Sequence, residues 1–136
     1  MTKTGSYILF IHLPVSSHIV IGRLGEIFFR EGFYGYIGSA LSGIDQRVQR
    51  HLRTQKKFHW HIDYLLQNAT IQEVYYRVSD VKEECLTAQY FSKIFDSISG
   101  FGCSDCKCNS HLFYVDCKAF KKIVLKLGFN EYNKNT

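Results

Sequence analysis

One short segment brings together residue types that suit phosphodiester chemistry. It reads Tyr34-Gly35-Tyr36-Ile37-Gly38-Ser39-Ala40 and is followed by Arg47 and His51. A strand that ends at Gly38 and leads into a helix places Arg47 and His51 close to Tyr36. Arginine makes bidentate contacts to phosphate oxygens. Tyrosine is a poor base unless nearby cations lower its pKa, and this segment supplies them. The segment therefore suits phosphodiester chemistry.

Length and composition fit a single globular domain over residues 1–136. Apolar residues make up 46% of the sequence and aromatic residues 15%, which is ample for a hydrophobic interior. No apolar run approaches the roughly 20 residues that span a bilayer, and the N-terminus lacks a signal-peptide pattern. We therefore expect a cytoplasmic protein without membrane contact. The sequence leaves its oligomeric state open.

The charge balance favours a polyanionic partner, with DNA as the expected one. Seventeen lysines and arginines against twelve aspartates and glutamates give a formal net charge of +5. Cationic surfaces gain affinity for nucleic acids because neutralised phosphates release condensed counterions. Many proteins with a similar excess bind no nucleic acid, so charge alone leaves both interpretations open.

The first half of the chain predicts strands followed by a helix. The run Ser6–Leu13 is β-branched and aromatic and indicates a strand that ends at Pro14. Residues 18–22 and 26–30 predict a hairpin, and residues 33–37 another strand. A helix opens at residues 42–45. Its apolar stripe is Ile44, Val48 and Leu52, and its other faces carry Arg47, Arg50 and His51.

The second half predicts a strand and two further helices. Residues 58–66 fit either a helix or an extended segment, and residues 70–78 predict a strand. A helix capped by Asp80 and Glu83 is expected to reach about Ile98, with Leu86, Tyr90 or Phe91, and Ile94 facing inward. Residues 97–110 predict a loop and residues 111–115 a short strand, and Asp116 caps a last helix that stops at Gly128. The order predicts an α+β fold, with helices flanking a small mixed or antiparallel sheet.

The tyrosine motifs resemble those of the GIY-YIG nuclease family. Gly5-Ser6-Tyr7 is similar to the first motif, with serine in place of isoleucine, and Tyr36-Ile37-Gly38 matches the second. Arg47 stands where the family has its helix arginine, and His51 matches a histidine of several members. The resemblance implies an endonuclease-like fold with the two tyrosines on adjacent strands. It also implies Mg²⁺- or Mn²⁺-dependent cleavage of DNA, with Tyr7, Tyr36, Arg47 and His51 as catalytic residues.

The resemblance further implies a metal-binding glutamate on the helix after the third core strand. Glu84 is the first candidate for this Mg²⁺ ligand, and Glu83 is the next. Alignment on the hydrophobic pattern places Gln89 there instead, and an amide cannot supply the charge of a carboxylate. Asn109 is the candidate for the family's late asparagine. The tyrosines lie farther apart than is usual in the family, and the hairpin within residues 19–30 accounts for the excess.

Further motifs resemble one small, mostly archaeal branch of that family. They are the Gly-Arg-Leu-Gly hairpin, Tyr-Ile-Gly-Ser-Ala, Arg-His-Leu, residues 59–65 (His-Trp-His-Ile-Asp-Tyr-Leu) and residues 104–108 (Ser-Asp-Cys-Lys-Cys). The branch occurs alone or fused to DNA-repair glycosylase domains, and its biochemical role is unsettled. This resemblance covers nearly the whole chain and extends the expectation to DNA repair.

Residues 50–63 add candidate contacts to nucleic acid. The basic run at residues 53–57 suits contact with a DNA backbone, although such runs are usually solvated loops. In a strand, His59, His61 and Asp63 would share one face and could bind a metal or phosphate, or Asp63 could fix a histidine tautomer. Alternatively the histidines only cover a core edge. The predicted nucleic-acid contacts are Arg50, Arg53, Lys56, Lys57, His59 and His61.

The cysteines predict either a zinc site or reduced thiols. Their number, five, is odd, which argues against a disulfide framework. Cys103, Cys106, Cys108 and His111 offer four zinc-type ligands, with Cys85 and Cys117 in reserve. Structural zinc sites usually join two distant ligand pairs, so four ligands in one loop are awkward. Buried free thiols are the alternative.

Three functions follow from these patterns. The first is a divalent-metal-dependent endonuclease that acts on DNA. The second is a module that keeps the fold and binds nucleic acid without cleaving it. The third is a zinc-stabilised interaction domain centred on the cysteine loop. The position of the metal-binding carboxylate separates the first function from the second, and the sequence does not choose between DNA and RNA.

Overall fold

A six-stranded sheet and a separate hairpin organise the chain in a computed structural model that describes residues 3–103 and 107–133. In chain order the elements are β1 (Gly5–Leu13), β2 (Ser17–Val20), β3 (Glu26–Phe29), β4 (Gly32–Ala40), α1 (Ile44–Leu52), α2 (His61–Leu65), β5 (Thr70–Val78), α3 (Glu84–Ser92), β6 (Asp96–Ser97), β7 (Leu112–Val115), α4 (Cys117–Lys126) and β8 (Asn130–Glu131). A single 3-10 turn, Gly22–Leu24, joins β2 to β3. The α+β prediction is confirmed.

All strand pairs formed by the described residues are antiparallel, and the sheet order is β6-β7-β4-β1-β5-β8. The central strand β1 pairs with both β4 and β5. The two tyrosine-bearing strands, β1 and β4, are therefore neighbours, with Tyr7 opposite Gly38 and Leu9 opposite Tyr36. This pairing brings the two predicted motifs together although the β2–β3 hairpin separates them in the sequence.

The sheet is the middle of three layers. Alternating side chains of a strand point to opposite faces. Tyr7 and Leu9 pack on the face that carries α1, α2 and the β2–β3 hairpin. Ile8 and Phe10 pack on the face that carries α3 and α4. Because both faces are covered, β1 is buried along almost its whole length.

Gly38 is required by the close approach of the Tyr7 ring. A Cβ atom at this position would overlap the Cζ and hydroxyl oxygen of Tyr7, which faces Gly38 across the pair of strands. Overlap with a buried ring cannot be relieved without moving that ring. The glycine of the Tyr-Ile-Gly motif thus sets the position of the first-motif tyrosine.

Helix α1 differs from its prediction in which residues it buries. Ile44 and Val48 are buried as expected, but Leu52 is partly exposed and His51 is only 2% exposed. Ile44, Val48 and His51 have the spacing i, i+4 and i+7, which is one helix face. The expectation that His51 lies on a polar face was therefore wrong.

Helix α3 is shorter than predicted and lacks the predicted capping box. It begins at Glu84 and ends at Ser92, because residues 96–97 leave it to form β6 beside β7. The Glu83 carboxylate pairs with Arg77 at 2.7 Å and so does not return to Asp80. Phe91 is buried as expected, whereas Leu86 is 67% exposed and Ile94 is also exposed.

The other boundaries agree closely with the sequence pattern. Strand β5 has the predicted bounds, and the Asp116 carboxylate caps α4 by accepting from the Ala119 N–H at 3.0 Å. Gly128, with φ of 85°, follows α4 and ends it in the left-handed region. The sequence pattern missed the short strands β6 and β8. None of the helices formed by the described residues is both long and apolar enough to traverse a bilayer.

Candidate active site

A cleft of 550 Å³ lies where β4 meets α1, α2 and the first turn of α3. Four of the predicted catalytic residues line it: Tyr7, Tyr36, Arg47 and Glu84. They come from β1, β4, α1 and α3 respectively, so four separate elements converge on one space. The cleft is the candidate active site.

Tyr7 and His51 form a buried pair at the back of this cleft. The Tyr7 hydroxyl lies 2.7 Å from His51 Nε2, and both side chains are buried. The charge of the nearby Arg47 guanidinium acts on the Tyr7 hydroxyl. Which partner donates in the Tyr7–His51 hydrogen bond depends on the tautomer of His51: a neutral ring with its proton on Nδ1 accepts from Tyr7 at Nε2.

Burial keeps both members of this pair neutral. It raises the pKa of Tyr7 well above its usual value, although the charge and hydrogen bond of Arg47 act in the opposite direction. Burial also lowers the pKa of His51 to about 3, although the charge of Asp63 opposes that shift. At neutral pH the pair is thus a phenol hydrogen-bonded to an uncharged imidazole. The other ring nitrogen of His51, Nδ1, is buried and has no hydrogen-bond partner within the described residues.

Arg47 is held in place by two contacts beside Tyr7. Its Nη1 donates to the Ser39 carbonyl at 3.0 Å, and its guanidinium lies 4.5 Å from the centroid of the Trp60 ring. The Arg50 guanidinium lies over the same ring at 4.2 Å. Cation–π contacts of this kind stabilise by about 0.5–2 kcal/mol. Trp60, at the start of α2, therefore orients the arginine that faces the cleft.

Arg50, a predicted nucleic-acid contact, forms an ion pair with Asp63. Its two terminal nitrogens donate to the Asp63 carboxylate at 3.0 and 2.9 Å, and one also donates to the Lys57 carbonyl. Asp63 further accepts from the backbone N–H groups of His59 and Trp60. Asp63 therefore holds Arg50 and the start of α2 in place. It does not orient a histidine side chain, as the alternation of residues 59–63 suggested it could.

Removing the charge of Asp63 is expected to destabilise the fold by about 3 kcal/mol, because it leaves the half-buried Arg50 without its counter-ion. Burial alone raises the pKa of Asp63, but the bonds from Arg50, Trp60 and His59 outweigh it and lower the pKa to about 2. A depressed carboxyl pKa stabilises the fold above the unfolded pKa of about 3.9, and this contribution is lost as pH falls toward 2.

Urea unfolding of wild type and Asp63→Asn at neutral and acid pH measures both effects. The wild type should lose about 2 kcal/mol between about pH 4 and pH 2 from this group, and the variant should not. Asp96→Asn is the matched control, since Asp96 pairs with Arg30 at the exposed surface. An unchanged stability of Asp63→Asn, or the same acid loss in both proteins, would contradict this assignment.

Glu84 occupies the first position of α3 with its side chain in the cleft. It is only 8% exposed, and its Oε2 is buried without a hydrogen-bond partner among the residues that the structure describes. An unpaired buried carboxylate oxygen is costly unless a cation or another donor reaches it. Gln89, the alternative from the hydrophobic pattern, is exposed and does not line the cleft.

The other predicted nucleic-acid contacts are scattered. Lys56 is half-buried and donates to the carbonyls of Arg50 and His51, so it caps the C-terminal end of α1 and is not a free cation. Arg53 and Lys57 are exposed but do not line the cleft. His59 is exposed at the cleft wall. His61 also lines it, with Nδ1 accepting from the Gly102 N–H at 2.8 Å, and burial lowers its pKa.

Two cationic side chains that line the cleft were not predicted from the sequence. Arg23, in the turn between β2 and β3, and Lys82, just before α3, both line the cleft and are exposed. The Gly-Arg-Leu-Gly motif was noted only as a family resemblance, although it contains Arg23. Nothing in the sequence around Lys82 indicates that it lines the same cleft as Arg47.

The cysteine cluster differs from the predicted one. Cys85 joins Cys108 and His111 in a group whose ligand atoms all lie within 4.8 Å of one another, a group that could hold a metal ion. Cys103 is not in this group, and its thiol donates to the Phe101 carbonyl at 3.4 Å. Cys106 lies outside the described residues. Asn109 lines a neighbouring, more open depression of 640 Å³ and donates to Ser97.

Comparison with known proteins yields one match. A family model described as "Domain of unknown function DUF123" matches residues 6–131, which is nearly the whole chain. No curated protein and no solved structure matches. The match covers all four elements that form the cleft.

Proposed function

The chain belongs to the DUF123 family, and we propose, from its GIY-YIG-like motifs and its cleft, that it is a metal-dependent endonuclease that hydrolyses phosphodiester bonds in DNA. The observation that carries the proposal is the convergence of Tyr7, Tyr36, Arg47 and Glu84 on one cleft. Tyr7, Tyr36 and Arg47 are the residues that the GIY-YIG motifs single out, and Glu84 is the first candidate for the metal-binding glutamate that the resemblance implies. The adjacent pairing of the two tyrosine strands supports the same resemblance.

Glu84 fits the role of ligand for Mg²⁺ or Mn²⁺. Its Oε2 is buried, faces the cleft side of α3, and has no partner within the described residues. Mg²⁺ in nucleases is commonly held by one or two protein carboxylates, with water and substrate phosphate completing its shell. A cation bound there would polarise the scissile phosphate and stabilise the charge of the leaving oxygen.

Tyr7 and His51 would accept and relay the proton of the attacking water. The Tyr7 oxygen accepts a proton from water as the Tyr7 hydroxyl proton moves to His51 Nε2, 2.7 Å away. The transfer is concerted because burial disfavours a free tyrosinate. His51 is enclosed and does not line the cleft, so it acts as a proton relay and does not contact phosphate. Tyr36, whose ring centroid lies 6.5 Å from that of Tyr7, would orient the water or the phosphate.

Arg47, Arg23 and Lys82 would contact the DNA backbone. Arg47 lies beside Tyr7, so its guanidinium would bind an oxygen of the reacting phosphate as charge accumulates there. Arg23 and Lys82 stand exposed on the cleft wall and would contact flanking phosphates, which set position more than sequence preference. The formal net charge of +5 is consistent with such a partner.

Arg47→Ala is expected to lower cleavage of nicked, flapped or branched DNA about a hundredfold. DNA affinity should change only a few-fold, since other cations remain. Cleavage is measured in single turnover with Mg²⁺, and binding on the same substrates without metal. Arg53→Ala, an exposed arginine outside the cleft, is the matched control. Equal cleavage by wild type and Arg47→Ala would overturn the proposed role.

The alternative is a module that binds nucleic acid without cleaving it. It is supported by the same cations and would leave the Tyr7–His51 pair without a function. The Glu84 carboxylate, whose buried Oε2 has no hydrogen-bond partner within the described residues, favours the enzyme, because a binding module gains nothing from an anion facing the phosphates.

A further inference from the structure

We propose that Cys85, Cys108 and His111 bind a single Zn²⁺ ion. The three ligand atoms lie within 4.8 Å of one another. Zinc bound to one sulfur at about 2.3 Å and one imidazole nitrogen at about 2.0 Å separates them by roughly 3.6 Å in a tetrahedron. Cys85 Sγ and His111 Nε2 are 3.9 Å apart. The ligand atoms therefore need to move only slightly to accept the ion.

The orientation of His111 supports a metal ligand. Its Nδ1 lies 3.1 Å from the Ile37 carbonyl oxygen. A carbonyl can only accept, so Nδ1 carries the ring proton and the lone pair of the neutral ring is on Nε2, facing Cys85. A backbone carbonyl that fixes the tautomer in this way is the usual outer partner of a zinc-bound histidine. His111 is itself buried, so the ring cannot easily turn.

The arrangement removes the objection to a zinc site in the cysteine loop. Cys108 and His111 come from the loop before β7, whereas Cys85 comes from the first turn of α3. The ion would thus join two segments that are distant in the sequence, as structural zinc sites usually do. Two thiolates and an imidazole favour zinc over Mg²⁺ or Ca²⁺, which prefer oxygen ligands.

The site would also fix one wall of the cleft. Cys85 follows Glu84 directly, and His111 lines the same cleft as Glu84. Zinc would therefore tie the first turn of α3 to the start of β7 and hold the Glu84 backbone in place. The zinc site does not depend on the proposed cleavage reaction, and its test uses no activity measurement.

The first test uses wild-type protein, purified under reducing conditions and freed of metal. Titration with Zn²⁺ alone should show one bound ion per chain. Zinc should slow alkylation of Cys85 and Cys108, read out by peptide mass spectrometry, and leave Cys103 and Cys117 unprotected. Mg²⁺ is the control ion and should protect none of them. Absence of zinc binding, or protection of Cys103 without Cys85, would overturn the proposal.

The second test compares variants. Loss of a residue that hydrogen-bonds to a metal ligand typically weakens metal binding by roughly 10–100-fold. Cys85→Ser removes a ligand itself and should weaken zinc binding by more than that. Cys117→Ser, which removes a cysteine of α4 outside the cluster, should bind zinc as the wild type does. Co²⁺ should give a thiolate charge-transfer band that weakens in folded Cys85→Ser. Wild-type affinity in Cys85→Ser would contradict the site, and the alkylation result decides the case if that variant does not fold.

Discussion

Replacing Glu84 with glutamine is expected to lower Mg²⁺-dependent DNA cleavage by about a thousandfold. Glutamine keeps the shape of the side chain but removes the charge that would hold the cation. A metal contributes several kcal/mol to stabilising the transition state, and each 1.36 kcal/mol corresponds to a factor of ten in rate. DNA affinity measured without metal should stay the same or rise, because an anion facing the phosphates is gone.

Glu83→Gln is the matched control for this change. Glu83 is the neighbouring acid, but its carboxylate pairs with Arg77 and it does not line the cleft. Its variant should cleave at close to the wild-type rate. Comparable activity of Glu84→Gln and wild type would show that Glu84 is not the ligand, and loss of activity in Glu83→Gln alone would favour the neighbouring glutamate.

Tyr7→Phe is expected to lower cleavage by about 10²–10⁴-fold, the usual contribution of a positioned acid or base. The variant keeps the ring against Gly38 but removes the hydroxyl that bonds to His51 at 2.7 Å. Tyr34→Phe is the control, since it removes another buried tyrosine hydroxyl, which donates to the Arg30 carbonyl outside the cleft. Full activity in Tyr7→Phe, with loss in Tyr36→Phe, would assign the base to Tyr36.

The pH dependence of cleavage tests the same pair. An ordinary histidine loses its ability to accept a proton below its pKa of about 6.5. Burial lowers the pKa of His51 to about 3, so the ring remains an acceptor throughout the range from about pH 5 to pH 8. The cleavage rate should therefore not depend on protonation of His51 near pH 6.5. Any fall in rate near that pH should persist in His51→Gln. A fall near pH 6.5 that is lost in His51→Gln would contradict the lowered pKa of His51.

Much of the fold follows from local sequence patterns. The bounds of β5, the Asp116 cap of α4 and the hairpin around Arg23 were all predicted from residue type and alternation. These features depend on neighbours in the sequence. The two-residue strands β6 and β8 were missed because only their partners across the sheet define them.

The site was only partly predictable, for a related reason. Motif residues identified Tyr7, Tyr36, Arg47, His51 and Glu84, but not how buried each would be. His51 was predicted to lie off the apolar stripe of α1 but is buried in the core. Its spacing from Val48 is typical of residues on one helix face, so the sequence did contain a sign of this burial. Arg50 was predicted to contact nucleic acid, whereas its ion-pair partner Asp63 comes from the next helix, α2. Contacts between distant segments, such as that of Cys85 with His111, are not indicated by the sequence around either residue.

Cleavage of DNA by the wild-type protein is the measurement that decides whether the cleft is catalytic. Nicked, flapped and branched duplexes are incubated with Mg²⁺ or Mn²⁺, with and without a chelator, and binding to the same substrates is measured at two salt concentrations. The cleft predicts cleavage that the chelator abolishes and that Glu84→Gln loses. Salt-sensitive binding without cleavage under any of these conditions would contradict it and identify the chain as a non-catalytic nucleic-acid-binding domain.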